Sequence, residues 1–245
     1  MLVYREAAEC VPAHELLSTA INDARSVIAS PRDQDAAITA LISAGALECA
    51  ALDVGSPSAG TASLTDSAAA ALAGAEATAS LGDAITAADR TSLPCRLRIR
   101  PFEGFAYYAL HPYQYIEMAR RFVRRRNSSL PVAVVGIRSI GVPLSALVAA
   151  AVRGAGGQAE RITVRPDGHP SNRELRFTSE QSAWVRRQAV LGADFLVADE
   201  GPGRSGSSFL ATAEALEREG VSHTRISLLC NRAHPGYASG CCLFS

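Results

Sequence analysis

The stretch FLVADEGPGRSGSSFLATAEALEREG, residues 195–220, carries the densest chemistry of the chain. Two acids, Asp199 and Glu200, close an apolar run. Gly201, Gly203, Arg204 and Gly206 follow, and Ser205, Ser207 and Ser208 lead into a segment with helical apolar spacing. A glycine-rich turn that opens a helix leaves unpaired backbone N–H groups at the positive end of the helix dipole, which makes a phosphate cradle. The serine hydroxyls add donors. Ser207 or Ser208 would also serve as an ordinary helix cap, but capping leaves the acids unexplained. Adjacent carboxylates repel a phosphate; they suit a ribose diol, or Mg2+ beside one.

Upstream, a second strand-to-helix turn lies in GIRSIGVPLSALVAAAV, which follows the Val-rich run LPVAVVG. Its sole cation is Arg138. Between the two turns, RPDGHPSNRELR (165–176) holds three arginines and His169, and Pro166, Gly168 and Pro170 interrupt regular structure there. The remaining histidines, scattered along the chain, are surface or core residues rather than ligands.

Gly201, Gly203 and Gly206 spell GxGxxG, the dinucleotide fingerprint, and this alone supports an NAD(P)-binding Rossmann oxidoreductase. That fingerprint closes the first strand of its unit and needs an acid at the end of the next strand. Here the next strand ends in Cys230 and Asn231. The whole segment instead resembles the loop of type I phosphoribosyltransferases that binds phosphoribosyl pyrophosphate (PRPP). In that loop two acids after an apolar strand precede Thr/Ser-Gly-x-Thr/Ser and a helix, matched here by Asp199, Glu200, Ser205, Gly206, Ser207 and Ser208. GIRSIG resembles the family's pyrophosphate loop, through Ile137, Arg138, Ser139 and Gly141. Residues 165–176 correspond to its mobile loop, with Arg165, His169 and Arg173. EGFAYYALHPYQY taken with DEGPGRSGSSF is also similar to a bacterial subgroup encoded among stress and tellurium-resistance genes.

The resemblance covers about residues 95–231. It implies a doubly wound, mainly parallel α/β fold and Mg2+-dependent transfer of a phosphoribosyl group to or from a nitrogenous base. Asp199 and Glu200 would hold Mg2+, in part through the ligand, and with Arg138 they would be the catalytic residues. Gly201, Gly203, Arg204 and the serines would take the 5'-phosphate. The chain departs from the family in three ways. One extra residue lies between the acids and Ser-Gly, lysines are absent, and few residues follow the fourth strand, so few C-terminal elements are expected. A sensor that binds PRPP or a nucleotide without turnover stays open as an alternative.

These loops require strands and helices to hold them. After Pro94, CRLRIRPF alternates like a half-buried strand, and Pro112 opens an amphipathic helix in YQYIEMARRFVRRR. Short apolar strands then alternate with helices from residue 130 to 230, which predicts a doubly wound sheet with sites at the carboxyl ends of its strands. GFAYYALHPYQY concentrates five aromatics in twelve residues, either a core wall or a base-stacking surface. Residues 1–53 read as a helical segment and 54–93 as an Ala/Ser/Gly-rich linker with one helix near 68–79. Residues 94–245 then form the α/β domain.

Composition narrows the classes. All 24 basic residues are arginine, which excludes Schiff-base chemistry, pyridoxal phosphate linkage and a P-loop lysine. The net charge of zero conceals an asymmetry: residues 1–95 carry 4 arginines against 12 acids, and residues 96–245 carry 20 against 12. The basic half suits an anionic ligand. Its densest cluster, Arg120, Arg121, Arg124, Arg125 and Arg126, ends a helix, where arginines complement the dipole, so a nucleic-acid partner is not expected. No apolar run reaches the roughly 18 to 20 residues of a membrane span, and the first twenty residues are unlike a secretory signal, so a cytoplasmic protein is expected. A homodimer is left open. The six cysteines show neither a disulfide framework nor zinc-ligand spacing.

Overall fold

The computed structural model describes residues 8–74, 78–126, 129–203, 205–231 and the pair 242–243. The chain divides into two compact units, residues 1–106 and 107–245.

In the first unit, β1 (Glu9–Pro12) pairs antiparallel with β2 (Arg96–Ile99). Between them run α1 (Ala13–Ala29), α2 (Gln34–Asp53), α3 (Ala59–Leu72) and α4 (Thr78–Asp89). Asp33 caps α2 by accepting from the amides of Asp35 and Ala36, and Ser58 caps α3 by accepting from that of Gly60. The helices pack in sequence, α1 on α2, α2 on α3, α3 on α4, with α4 returning to α1.

The expected linker is therefore a pair of helices in a bundle. Its apolar stripe is built from Thr61, Leu64, Thr65, Ala68, Ala69 and Leu72 of α3 and Leu81, Ala84, Ile85 and Ala88 of α4. Small residues bury little area each, which hid the stripe, but they let helix backbones approach closely. A Cβ built on Gly60 would stand 2.5 Å from the Ala87 carbonyl oxygen and 2.6 Å from Thr91 Oγ1. Gly60→Val is therefore expected to cost about 2 kcal/mol by forcing α3 and α4 apart, read as a lower midpoint in urea unfolding. An unshifted midpoint would contradict this packing. Alanine content also makes α2 apolar enough over its 20 residues to cross a membrane by length and composition, contrary to expectation, although most of that stretch is buried within the protein. β2, assigned from sequence to the α/β domain, belongs to the helical unit.

A short helix, α5 (Glu103–Tyr107), ends at the first residue of the second unit. Its first long helix is α6 (Pro112–Arg125), opened by a capping box between His111 and Gln114. Then follow β3 (Val132–Ile137), α7 (Gly141–Gly154), β4 (Ala159–Val164), β5 (Asp167–His169), β6 (Asn172–Glu174), α8 (Ser179–Val190), β7 (Asp194–Ala198), α9 (Ser207–Arg218), β8 (Ile226–Leu229) and β9 (Cys242–Leu243).

The expected α/β architecture is present. Parallel strands are ordered β4-β3-β7-β8, with the two-residue β9 added parallel at the β8 edge, an element the sequence did not announce. All six residues of β3 are buried, as a strand covered on both faces must be. Ala133, Val135, Phe195, Val197 and Leu228 face α8 and α9 through Trp184, Val185, Phe209 and Leu216. The alternate residues Val132, Val134 and Leu196 turn to the other face, where α7 packs against β3, β4 and β7 and α6 packs on α7. Residues 165–176, expected to lack regular structure, form the antiparallel hairpin β5–β6, with Asp167 opposite Glu174 and His169 opposite Asn172. Pro170 falls in its turn, where no ladder amide is needed.

Three arginines of the cluster at the end of α6 are occupied internally. Arg121 and Arg124 reach Glu117 at 3.2 and 2.8 Å, while Arg126 pairs with Asp194 at 3.3 Å and lies over the Phe122 ring.

Candidate functional site

In chain order the sheet runs second, first, third, fourth. The connection after β3 thus goes to one side and the later elements build on the other, which creates a topological switch point between β3 and β7. Open α/β sheets bind ligands in the crevice outside the carboxyl ends of the strands at such a point. Both loops singled out from sequence are there. Gly136 is the direct ladder partner of Ala198, so the turn of Ile137, Arg138, Ser139 and Gly141 and the acids Asp199 and Glu200 leave neighbouring strand ends.

The upstream turn is held tightly. The Arg138 amide donates to the Val164 carbonyl at 2.8 Å, extending the ladder with β4, and the Val142 amide donates to Ser139. The Arg138–Ser139 peptide is cis. The start of α7 presses onto the strand ends: a Cβ on Gly141 would lie 2.7 Å from the Gly136 carbonyl carbon and 3.0 Å from the Ala198 carbonyl oxygen. α7 and α9 both begin where the strands end, on opposite faces of the sheet, so two positive dipole ends border the crevice.

The acids are fixed through their backbones. The Asp199 amide donates to Leu229 and the Asn231 amide to the Glu200 carbonyl, at 3.2 and 3.3 Å. The Tyr115 hydroxyl, from α6, donates to the Asp199 carbonyl at 2.5 Å. Tyr115 is fully buried, and burial, with Asp199 next, pushes its phenol well above the ordinary tyrosine value and keeps it a donor. The Asp199 carboxyl is enclosed, and desolvation pushes its pKa well above the usual aspartate value. A hydrogen bond from the Glu200 amide and the charge of Arg173 act the other way. It therefore holds a proton more firmly than a solvated aspartate.

Gly206 enters α9 in the left-handed conformation, φ +66°. Gly201 and Gly203 lie along the same β7–α9 connection, Ser208 is the second residue of α9, and Arg204 lies outside the described residues. The Ser205 and Ser207 hydroxyls are 3.0 Å apart, and each donates to the Pro170 carbonyl at 2.7 Å. The hairpin thus reaches the cradle. Arg173 of β6 is anchored to the Pro166 carbonyl at 3.0 Å and senses Asp199, whereas the His169 imidazole accepts from the Ser171 amide inside the hairpin turn. Arg165 lines the other side of the hairpin, in a cavity of about 370 Å³ with Asp167, Gly168, Asn172, Glu174 and Arg176.

Asp199, Glu200, Ser205, Ser207 and Arg173 therefore come together, with the Arg138 turn alongside. Tyr115 and Pro170 were not anticipated. Tyr115 had a readable signal, a hydroxyl on the buried stripe of an amphipathic helix, which must find a partner.

Among the described residues no group of three or more His, Cys, Asp or Glu could hold a metal. Two adjacent carboxylates suit Mg2+, which keeps several waters and shares its remaining positions with substrate phosphates. A dinucleotide site would need a carboxylate at the end of β8, and that end is Leu229, Cys230 and Asn231. No family model, no curated protein and no solved structure matches this chain.

Proposed function

We propose that the second unit is a type I phosphoribosyltransferase-like domain that binds PRPP or a ribose 5-phosphate nucleotide at the β3–β7 switch point. There it transfers the phosphoribosyl group to or from a nitrogenous base with Mg2+. The observation that carries this reading is the pairing of Gly136 with Ala198. It sets a turn with one cation beside two acids and a hydroxyl-rich helix start, the parts a substrate with a ribose between two phosphate groups requires.

Ser205, Ser207, Ser208 and the first amides of α9 take the 5'-phosphate. Asp199 and Glu200 face the ribose and supply the oxygens for Mg2+, which when bound offsets charge growing on the departing pyrophosphate. Arg138 stands on the pyrophosphate side and strengthens its hold as the C1–O bond breaks, because negative charge accumulates there only then.

Calorimetric titration with PRPP should show binding that depends on Mg2+. Arg138→Ala should lower turnover about a hundredfold or more, as loss of one preorganised charge-stabilising donor does, while weakening ribose 5-phosphate binding far less. The turnover assay is pyrophosphate release from PRPP with purine, pyrimidine and pyridine acceptors. Tight PRPP binding without release from any acceptor would select the sensor, a reading favoured by the single cation of the pyrophosphate turn. Absence of PRPP binding would refute both.

A further inference from the structure

Two hydroxyls from one segment converge on a single oxygen from another, 35 and 37 residues away in sequence. A lone backbone carbonyl accepting from both Ser205 and Ser207 stands where an anionic ligand oxygen would stand. The two hydroxyls, 3.0 Å apart, form the cradle, and the Pro170 oxygen fills it. Proline suits this part because its ring stiffens the turn that presents the carbonyl. Arg173 braces the hairpin internally through the Pro166 carbonyl, and β6 packs against α9.

We propose that the β5–β6 hairpin is a self-occupying latch. In the ligand-free protein the Pro170 carbonyl takes the two serine hydroxyls that a phosphate monoester must use, so binding of the phosphate and release of the hairpin are one exchange. This rests on the reading of the β7–α9 connection as a phosphate cradle and adds how that cradle is regulated. A lid that closes over its ligand adds contacts on binding, whereas this hairpin gives contacts up. The apparent affinity of the cradle is its intrinsic affinity reduced by the fraction of molecules in which the hairpin is released. Any partner or substitution that frees the hairpin would therefore tighten phosphate binding without touching the site.

The test uses the full chain and PRPP with Mg2+ as the probe. One variant replaces residues 169–172 by two glycines, which removes the Pro170 acceptor and leaves the serines and Arg173. With two net hydrogen bonds no longer to be broken, it is expected to bind PRPP about tenfold more tightly than the wild type. Amide hydrogen exchange in residues 167–174 of the wild type should accelerate when PRPP binds. Weaker or equal binding by the variant, or slower exchange with PRPP, would overturn the latch and indicate a closing lid. Should neither chain bind PRPP, the phosphoribosyl reading fails, and the latch is judged without ligand in the double variant Ser205→Ala, Ser207→Ala. Faster exchange of the hairpin amides there, and also in the wild type on adding inorganic phosphate, upholds the latch, and unchanged exchange in either refutes it.

Discussion

Gly136→Ala is expected to destabilise the second unit by about 3 kcal/mol or more, at the upper end of what overpacking costs. An added Cβ would fall 2.0 Å from the Gly141 carbonyl oxygen and 2.7 Å from both the Gly141 carbonyl carbon and Ser145 Oγ. Two of these atoms are backbone and cannot rotate aside, and β3 is flanked on both sides by β4 and β7, so the strand cannot retreat. The single tryptophan, Trp184, is buried against Phe195 in the same core and reports the transition by its fluorescence during urea unfolding. A midpoint like that of the wild type would mean that α7 does not begin as close to the strand as described. Because Gly136 also begins the turn proposed to hold pyrophosphate, the variant should lose any PRPP binding in proportion to its unfolded fraction.

Asp199→Asn is expected to separate function from stability. Burial raises the Asp199 pKa, so the folded chain keeps this proton at pH values where the unfolded chain has released it. The group's contribution to stability is full below the ordinary aspartate pKa and is lost as pH rises through the folded-state value. Asparagine cannot ionise and can still accept from the Glu200 amide. The variant should therefore be more stable than the wild type at pH 8, with the difference shrinking toward acid, as urea unfolding at pH 8 and pH 5 would show. Binding should change the other way. In the proposed site Mg2+ requires the carboxylate, so wild-type affinity for PRPP with Mg2+ should rise with pH, and the asparagine variant should bind about tenfold or more weakly and without metal dependence. A variant that is destabilised equally at both pH values would show that Asp199 is a structural acid.

The strands of the second unit were readable because each is buried on both faces, and a run such as Val132–Ile137 can hardly be anything else. The acids and the serine-rich helix start were readable for a related reason: strand, turn and helix are contiguous in sequence. What escaped depended on remote partners or on small side chains. The Tyr115 hydroxyl finds its acceptor 84 residues away: its place on the buried stripe of α6 says that it needs a partner, and nothing local says which. Pro166, Gly168 and Pro170 are breakers by local rule, yet a three-residue ladder needs few amides, and the turn places Pro170 where its lack of one is harmless. In residues 54–93 the periodicity was present, but alanine and threonine carried it, and such residues are equally at home in a linker.

The pairing of β1 with β2 closes the helical unit on itself, with Glu9 opposite Ile99 at the open end and Pro12 opposite Arg96 at the closed end. Both chain exits therefore leave from the same end of one short ladder. Tension applied across the unit would peel these four residue pairs one after another, the Pro12–Arg96 pair meeting the load last, while the Arg96 side chain, which donates to the Cys10 carbonyl and thiol, is engaged as soon as the second pair opens. Bonds that share a load resist it together, whereas bonds loaded in succession yield singly. Under such a load the stem would open before the four helices are pulled apart.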